Sequence, residues 1–338
     1  MKNLEYGILS EESVYAFPDQ PVLDPCVLVI SEPVPTNLRG VGLSTRRTSW
    51  ALALGSMLVL LPGVARSLQA TLEDGSPVNT KMRIETVTPS PYPYGVYYWD
   101  VEGIEHLQRQ WFWYRIGSSP ESNVASVPHF SAPVMNDTTG EGYDDQLVAV
   151  YQDPIGLRIR VILTLRGNGA GSHEAWVTES IKLQNLTSSP MNLAFFQYTD
   201  FNLNSNPADD QLELFGPSLA NARHEDSMTV VTQKITGHLP VEAEVDVVDG
   251  IGDILARMGD ANPSSLSNTA GPVGGDGSYA YRWNFSLGSS GSPSDSVDFD
   301  IEKRIESLPP PVLPVGSSFL YVLGALGLGG AARYTLRR

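Results

Sequence analysis

YAYRWNFSL runs from Tyr279 to Leu287, and VDFDIE from Val297 to Glu302. In the first stretch Tyr279, Tyr281, Trp283, Phe285 and Leu287 alternate with Ala280, Arg282, Asn284 and Ser286. In the second, Val297, Phe299 and Ile301 alternate with Asp298, Asp300 and Glu302. A period of two belongs to a β-strand, whose successive side chains point to opposite faces. Each stretch therefore reads as a strand with one face in a core and the other in water. Between them lies GSSGSPSDS, Gly288 to Ser296, rich in turn formers. The reading predicts an antiparallel hairpin that buries Tyr281, Trp283, Phe285, Val297, Phe299 and Ile301.

The same pattern recurs upstream. Strands are expected at 81–87, 96–101, 107–116, 146–152, 157–165, 174–183, 192–198, 228–235 and 241–248. Asp153-Pro154-Ile155-Gly156 and the run Asn185 to Pro190 carry turn chemistry between successive strands. Only Gly252–Met258 reads as a short helix. Many strands joined by local turns, without the spacing of βαβ units, predict an all-β fold: a large antiparallel two-sheet β-sandwich. No internal repeat is visible, which disfavours propellers and β-helices.

Composition narrows the function classes. The chain has 338 residues and a formal charge of −16. Residues 71–317 hold 14 Lys and Arg against 32 Asp and Glu, a net −18. A body so acidic repels nucleic acid and anionic lipid. The one cysteine, Cys26, precedes that body, so disulfides and thiol chemistry are excluded from it.

Both ends of the chain carry address-like features. Arg46-Arg47, the apolar run Trp50 to Leu61 and Pro62-Gly63 before small residues form a secretory signal over 41–70, with cleavage after Ala65 or Ala70. Thr48-Ser49 after the arginine pair fits the twin-arginine route poorly, which favours the general secretory route. Residues 1–40 carry a net −4 ahead of that signal. They read as a gene-model artefact or a disordered leader. The sandwich domain is expected at 71–306. Beyond it come a proline-rich spacer (307–318) and a sorting helix with a basic tail (319–338). The apolar run Phe319 to Ala332 spans roughly 21 Å as a helix, short of the about 30 Å of a bilayer core. Arg333, Arg337 and Arg338 would sit on the cytoplasmic side.

This proline spacer, short apolar segment and terminal arginine cluster resemble the PEP-CTERM class of bacterial sorting signals. The usual Pro-Glu-Pro is absent. The stretch Pro311-Val312-Leu313-Pro314-Val315 is closer to the variant that begins Val-Pro-Leu-Pro-Ala. The resemblance covers the last thirty residues or so. It implies a Gram-negative-type bacterium, export, an exosortase-type sorting protease as partner, and processing near Pro314. It also implies transient membrane insertion of the precursor and association with extracellular polysaccharide at the cell surface.

Within the body, Leu107–Arg115 is the densest aromatic segment. Trp111 and Trp113 read as core or, on an exposed strand face between Arg109 and Arg115, as a platform for sugar rings. Asp200, Asn202 and Asn204 place oxygen side chains at every second position, as in a calcium loop, and are the candidate metal ligands. Ser205 and Gln211 stand where such a loop has Gly and Glu. Asp137, Glu141, Asp144 and Asp145 form a second acidic loop. His106, His129, His173, His224 and His238 make no paired metal spacing, and no HExxH, GxSxG or P-loop occurs. No catalytic or cofactor residue is nominated beyond the calcium ligands. The expectation is an exported surface or matrix protein of structural or interaction type. The alternatives are a polysaccharide hydrolase or lyase on a sandwich scaffold and a non-catalytic glycan-binding module.

Overall fold

In the computed structural model, the structure describes residues 69–87, 94–248 and 253–308. The leader, most of the signal segment, the distal spacer and the sorting tail lie outside these residues. Among the described residues no helix is long and apolar enough to cross a membrane.

The chain shuttles between two antiparallel sheets. Sheet one takes β1 (Gln69–Asp74), β2 (Thr80–Glu85), β3 (Gly95–Val101), β4 (Ile104–Glu105), β5 (Leu107–Ile116) and β6 (Ser122–Asn123). Sheet two then takes β7 (His129–Asn136), β8 (Gln146–Gln152), β9 (Leu157–Gly167) and β10 (Glu174–Asn185). β11 (Met191–Phe201) returns to sheet one, and β12 (Gln211–Phe215), β13 (Asn221–Glu225) and β14 (Thr229–Thr236) extend sheet two. After β15 (Glu242–Val247) in sheet one comes a single helical turn, α1 (Ile254–Met258). Asp253 caps it by accepting from the Ala256 amide at 2.7 Å. β16 (Val273–Gly274) in sheet two, β17 (Gly277–Leu287) in sheet one and β18 (Ser296–Ser307) in sheet two complete the fold. This is a large β-sandwich.

The two strands that open the sequence reading do not form a hairpin. β17 pairs with β11 and β15, whereas β18 pairs with β10 and β14. Their apolar faces meet across the core, with the Trp283 and Phe299 rings 4.9 Å apart. The linker Gly288–Asp295 turns the corner between sheets. A shared alternation dictates which face is buried, and a facing strand satisfies it as well as a paired one. Trp283, Tyr281, Phe299 and Ile301 are buried and Phe285 is half-buried.

Sheet two keeps one wet face, and its long strands β9, β10 and β18 alternate between buried and wetter positions. Sheet one does not: β5 and β11 are buried along nearly their whole length on both faces. Segments around Glu121 and Ser264 close over it. The Arg115 guanidinium donates to Glu121 Oε1 at 2.6 Å and to the Ser264 carbonyl at 2.9 Å. Trp111 and Trp113 are accordingly core residues, not an exposed sugar platform. Gly95 opens β3 at φ +78°, where a Cβ would lie 2.5 Å from the Gln110 carbonyl oxygen. Only glycine lets the two backbones approach this closely.

A polar chain is sealed between the sheets. Lys303 of β18 pairs with Glu179 of β10, both wholly buried. Glu179 Oε2 accepts from the Gln197 amide of β11 at 2.7 Å. Gln197 Oε1 accepts from Gln233 of β14 at 2.8 Å, and Gln233 Oε1 accepts from the Tyr279 hydroxyl of β17 at 2.7 Å. Burial pushes the Glu179 carboxyl up and the Lys303 ammonium down, and their mutual attraction opposes both shifts. Removing one partner strands the other charge in the core. Lys303→Met should therefore cost about 3–5 kcal/mol in urea unfolding. Glu179→Leu combined with Lys303→Met should recover most of that loss. A single variant within about 1 kcal/mol of wild type would contradict the sealed pair.

Candidate functional site

Ionisable chemistry concentrates at one end of the sandwich, where β11 runs out and β12 and β13 begin and end. After Phe201 the chain makes two tight turns, Leu203–Ser205 and Pro207–Asp209, with Asn204 and Ser205 at φ 54° and 58°. Asp210 staples this loop down. Its Oδ2 accepts from the Leu203 amide at 3.1 Å and lies 3.0 Å from His224 Nε2 on β13. Asn204 donates to Asp226 Oδ2 at 2.5 Å, while Asp226 Oδ1 accepts the Met228 and Thr229 amides of the next turn. Asp209, Asp210 and Asp226 each offer an oxygen, and these atoms lie within 4.8 Å of one another.

Several polar atoms here are buried without a hydrogen-bond partner: Asp200 Oδ1, Asp210 Oδ1, His224 Nδ1 and His106 Nε2. His106 sits just before β5, and its Nδ1 faces the Asn204 amide at 3.4 Å. That places the proton of the neutral ring on Nε2. Burial pushes the His106 imidazole down to about 4, against the attraction of Asp226. Asp200 is 5% exposed. Burial, repulsion from Asp276 and a smaller one from Asp253 push it up to about 7, although Arg109 and the Tyr198 hydroxyl oppose the shift. Asp276 is itself raised by burial and by Asp210.

The residues predicted as calcium ligands come to the same end of the fold but face different partners. Asp200 lies 3.3 Å from the Tyr198 hydroxyl. The side-chain amides of Asn202 and Gln108 meet at 2.8 Å. Asn204 is engaged with Asp226 and Thr229. The carboxylates that converge are Asp209, Asp210 and Asp226. Sequence reasoning missed Asp226 because β12 and β13 separate it from Asp210. One signal was present: in a hairpin that pairs Gln211 with Glu225, the flanking Asp210 and Asp226 must oppose each other. In the second acidic loop the Asp137 and Asp145 carboxylates are held by neighbouring groups. Asp137 accepts the Gly140 and Gly142 amides, and Asp145 is buried against Thr138, Thr139 and Arg166.

No family model matches the chain, and no curated protein matches it. Among solved structures it is similar to a bacterial glucoamylase complexed with acarbose, at 9% identity and TM-score 0.49, over 78% of this chain and 35% of that one. It is also similar to an Escherichia coli K12 protein assigned to the aldose 1-epimerases, at 10% identity and TM-score 0.45, over 72% of this chain and 100% of the other. A GalM/aldose epimerase homologue from C. elegans shows 7% identity and TM-score 0.43 over the same shares. These are likenesses of backbone course. The chain spans about a third of the glucoamylase's length.

The two shifted groups give opposite pH dependences. His106 is depressed from 6.5, so its contribution is present above about pH 6.5 and lost as pH falls through about 4. Asp200 is raised from 3.8, so its contribution is present below about pH 4 and lost as pH rises through about 7. At about 1.4 kcal/mol per unit, each amounts to a few kcal/mol, and the two offset each other. Asp200→Asn should unmask the histidine: its urea midpoint should rise from pH 4 to 6.5 more steeply than that of wild type. Parallel profiles for the two proteins would remove Asp200 from this account.

Proposed function

We propose that the chain is an exported protein of structural or interaction type that associates with extracellular polysaccharide at the cell surface. The observation that carries this reading is where its polar chemistry lies. The Glu179–Lys303 chain is sealed in the core, whereas the Asp209, Asp210 and Asp226 oxygens converge at a loop end. The same loop lines a shallow groove of about 210 Å³ bordered by Glu105, Gln108, Asn202 and Ser205. Calcium takes six to eight oxygen ligands, so three carboxylates leave positions that sugar hydroxyls can fill. Amide and hydroxyl side chains around the groove suit the same polyhydroxyl partner.

Delivery follows from the two ends of the chain. The signal over 41–70 directs export, and an exosortase-type protease processes the tail near Pro314. Strand β1 begins at Gln69, and Ala70 is buried in the core. Cleavage after Ala65 preserves that strand, whereas cleavage after Ala70 removes its first two residues.

A second reading, a hydrolase or lyase, has one observation in its favour. Asp200, held near 7, is poised to give or take a proton at neutral pH. Release of new reducing ends that disappears in Asp200→Asn would establish it.

Fractionation of cells making the full-length protein tests the main reading. The protein is expected in the surface fraction, starting after Ala65 and lacking Arg337 and Arg338 by mass spectrometry. Polysaccharide-degrading enzymes should release it. Chelation should loosen it, and Asp210→Asn should reproduce that loosening without chelator. Surface protein that keeps Arg338 and withstands polysaccharide digestion would make the tail a plain anchor and end the proposal.

A further inference from the structure

The outer face of sheet two carries a second, chemically opposite feature. Arg158 and Arg160 project from β9 at alternate positions, and Lys182 of β10 stands directly across from Arg160. Arg158 Nη2 donates to Gln152 at 2.9 Å, and its guanidinium lies 4.2 Å from the centre of the Phe130 ring. Phe130, on edge strand β7, is 58% exposed. Among the described residues neither arginine has an acidic partner. Lys182 meets Asp298 of β18 only at 3.5 Å, in an exposed pair. Such a pair contributes little.

These groups form a shaped surface. Phe130, Val150, Arg158, Arg160, Lys182 and Gln184 line a groove of about 330 Å³. A second depression of about 240 Å³, lined by Ile162, Ser180 and Asp300 among others, shares Arg160 and Lys182 as its wall. The strand register advances two residues, about 7 Å, from one to the other. Unpaired guanidiniums are out of place on a body of net charge −18, where acids outnumber bases more than two to one. Guanidinium groups match carboxylates in bidentate fashion. An aromatic face beside them offers a surface for the C–H face of a sugar ring.

We propose that this groove binds an acidic polysaccharide, with a uronate-type carboxylate seated between Arg158 and Arg160 and a neighbouring sugar against Phe130. The identification of the ligand as a polysaccharide rests on the proposed function above. The charge preference rests on the groove itself. Asp298 and Asp300 lie at the far end of the second depression and repel an anion, so the carboxylate seat is at the Arg158 end. Asp298 also competes with the ligand for Lys182.

Affinity electrophoresis of the full-length protein, in gels cast with polygalacturonate, with neutral dextran or with single-stranded DNA, tests this. Polygalacturonate should retard the protein, and dextran should not. Arg160→Glu, at an exposed position, should weaken retardation about tenfold or more while leaving the thermal unfolding midpoint unchanged. Asp298→Asn should strengthen retardation severalfold, because it frees Lys182 and removes a repelling charge. Retardation should fade as salt rises past about 0.15 M. Equal retardation by dextran, or an Arg160→Glu variant that binds as wild type, would overturn the acidic groove and leave polysaccharide association standing. Retardation by DNA alone through the same arginines would reassign the surface and overturn it as well. No retardation by any polymer, in a protein that polysaccharide digestion still releases from cells, would sink the groove alone. No retardation and no such release would sink both readings.

Discussion

Glu179 and Lys303 constrain this sandwich more tightly than any apolar contact. Each is wholly buried, and each belongs to sheet two. Their network reaches across the core through Gln197 and Tyr279 of sheet one. An apolar core tolerates repacking, since one buried apolar side chain replaces another of similar volume at modest cost. A buried charge has no such tolerance. If β10 or β18 slipped by one residue, every inward group would turn outward and the pair would be broken. The network therefore holds register in strands β10, β11, β14, β17 and β18 together.

That constraint frees the rest of the molecule. With the centre locked, sheet one can be covered on its outer side by the Glu121 and Ser264 segments, and sheet two can leave its outer side open. The open side carries the unpaired arginines, and the loop end carries the converging carboxylates. The two features differ in sign and lie on different parts of the fold. In the first proposal a cation among the carboxylates offers open positions to sugar hydroxyls, and in the second the guanidiniums on the open sheet face attract sugar carboxylates, so one acidic polymer could satisfy both proposals. They remain separable, because chelation acts on the first and substitution of Arg160 on the second.

The acidic end also shows how one environment divides its ionisable groups. Burial acts against charge on both His106 and Asp200, yet it lowers one and raises the other because their charged forms have opposite proton counts. At neutral pH His106 is uncharged, and Asp200 sits near its midpoint. Partnerless atoms such as Asp210 Oδ1 accumulate at this end, where the chain must turn between sheets and its backbone forms no regular ladder.

Periodicity in the sequence determined the fold class, nearly all the long strands and most of the core. Alternation is local, and the face that a side chain occupies follows from its own strand. The short helical turn and the Asp153–Gly156 turn were legible because their signals are also local. Strand partnership was not. β17 and β18 carry matching alternation, but whether they pair or face each other depends on neighbours far away in the chain. β1, β7, β12 and β13 went unread because each is short, at an edge or interrupted by polar residues. The acidic cluster needed the β12–β13 hairpin to bring Asp226 to Asp210, and the basic groove needed β7 to lay Phe130 against Arg158. Each residue's chemistry could be read from the sequence; only the tertiary structure decided which residues met, because long-range strand pairing sets their distances.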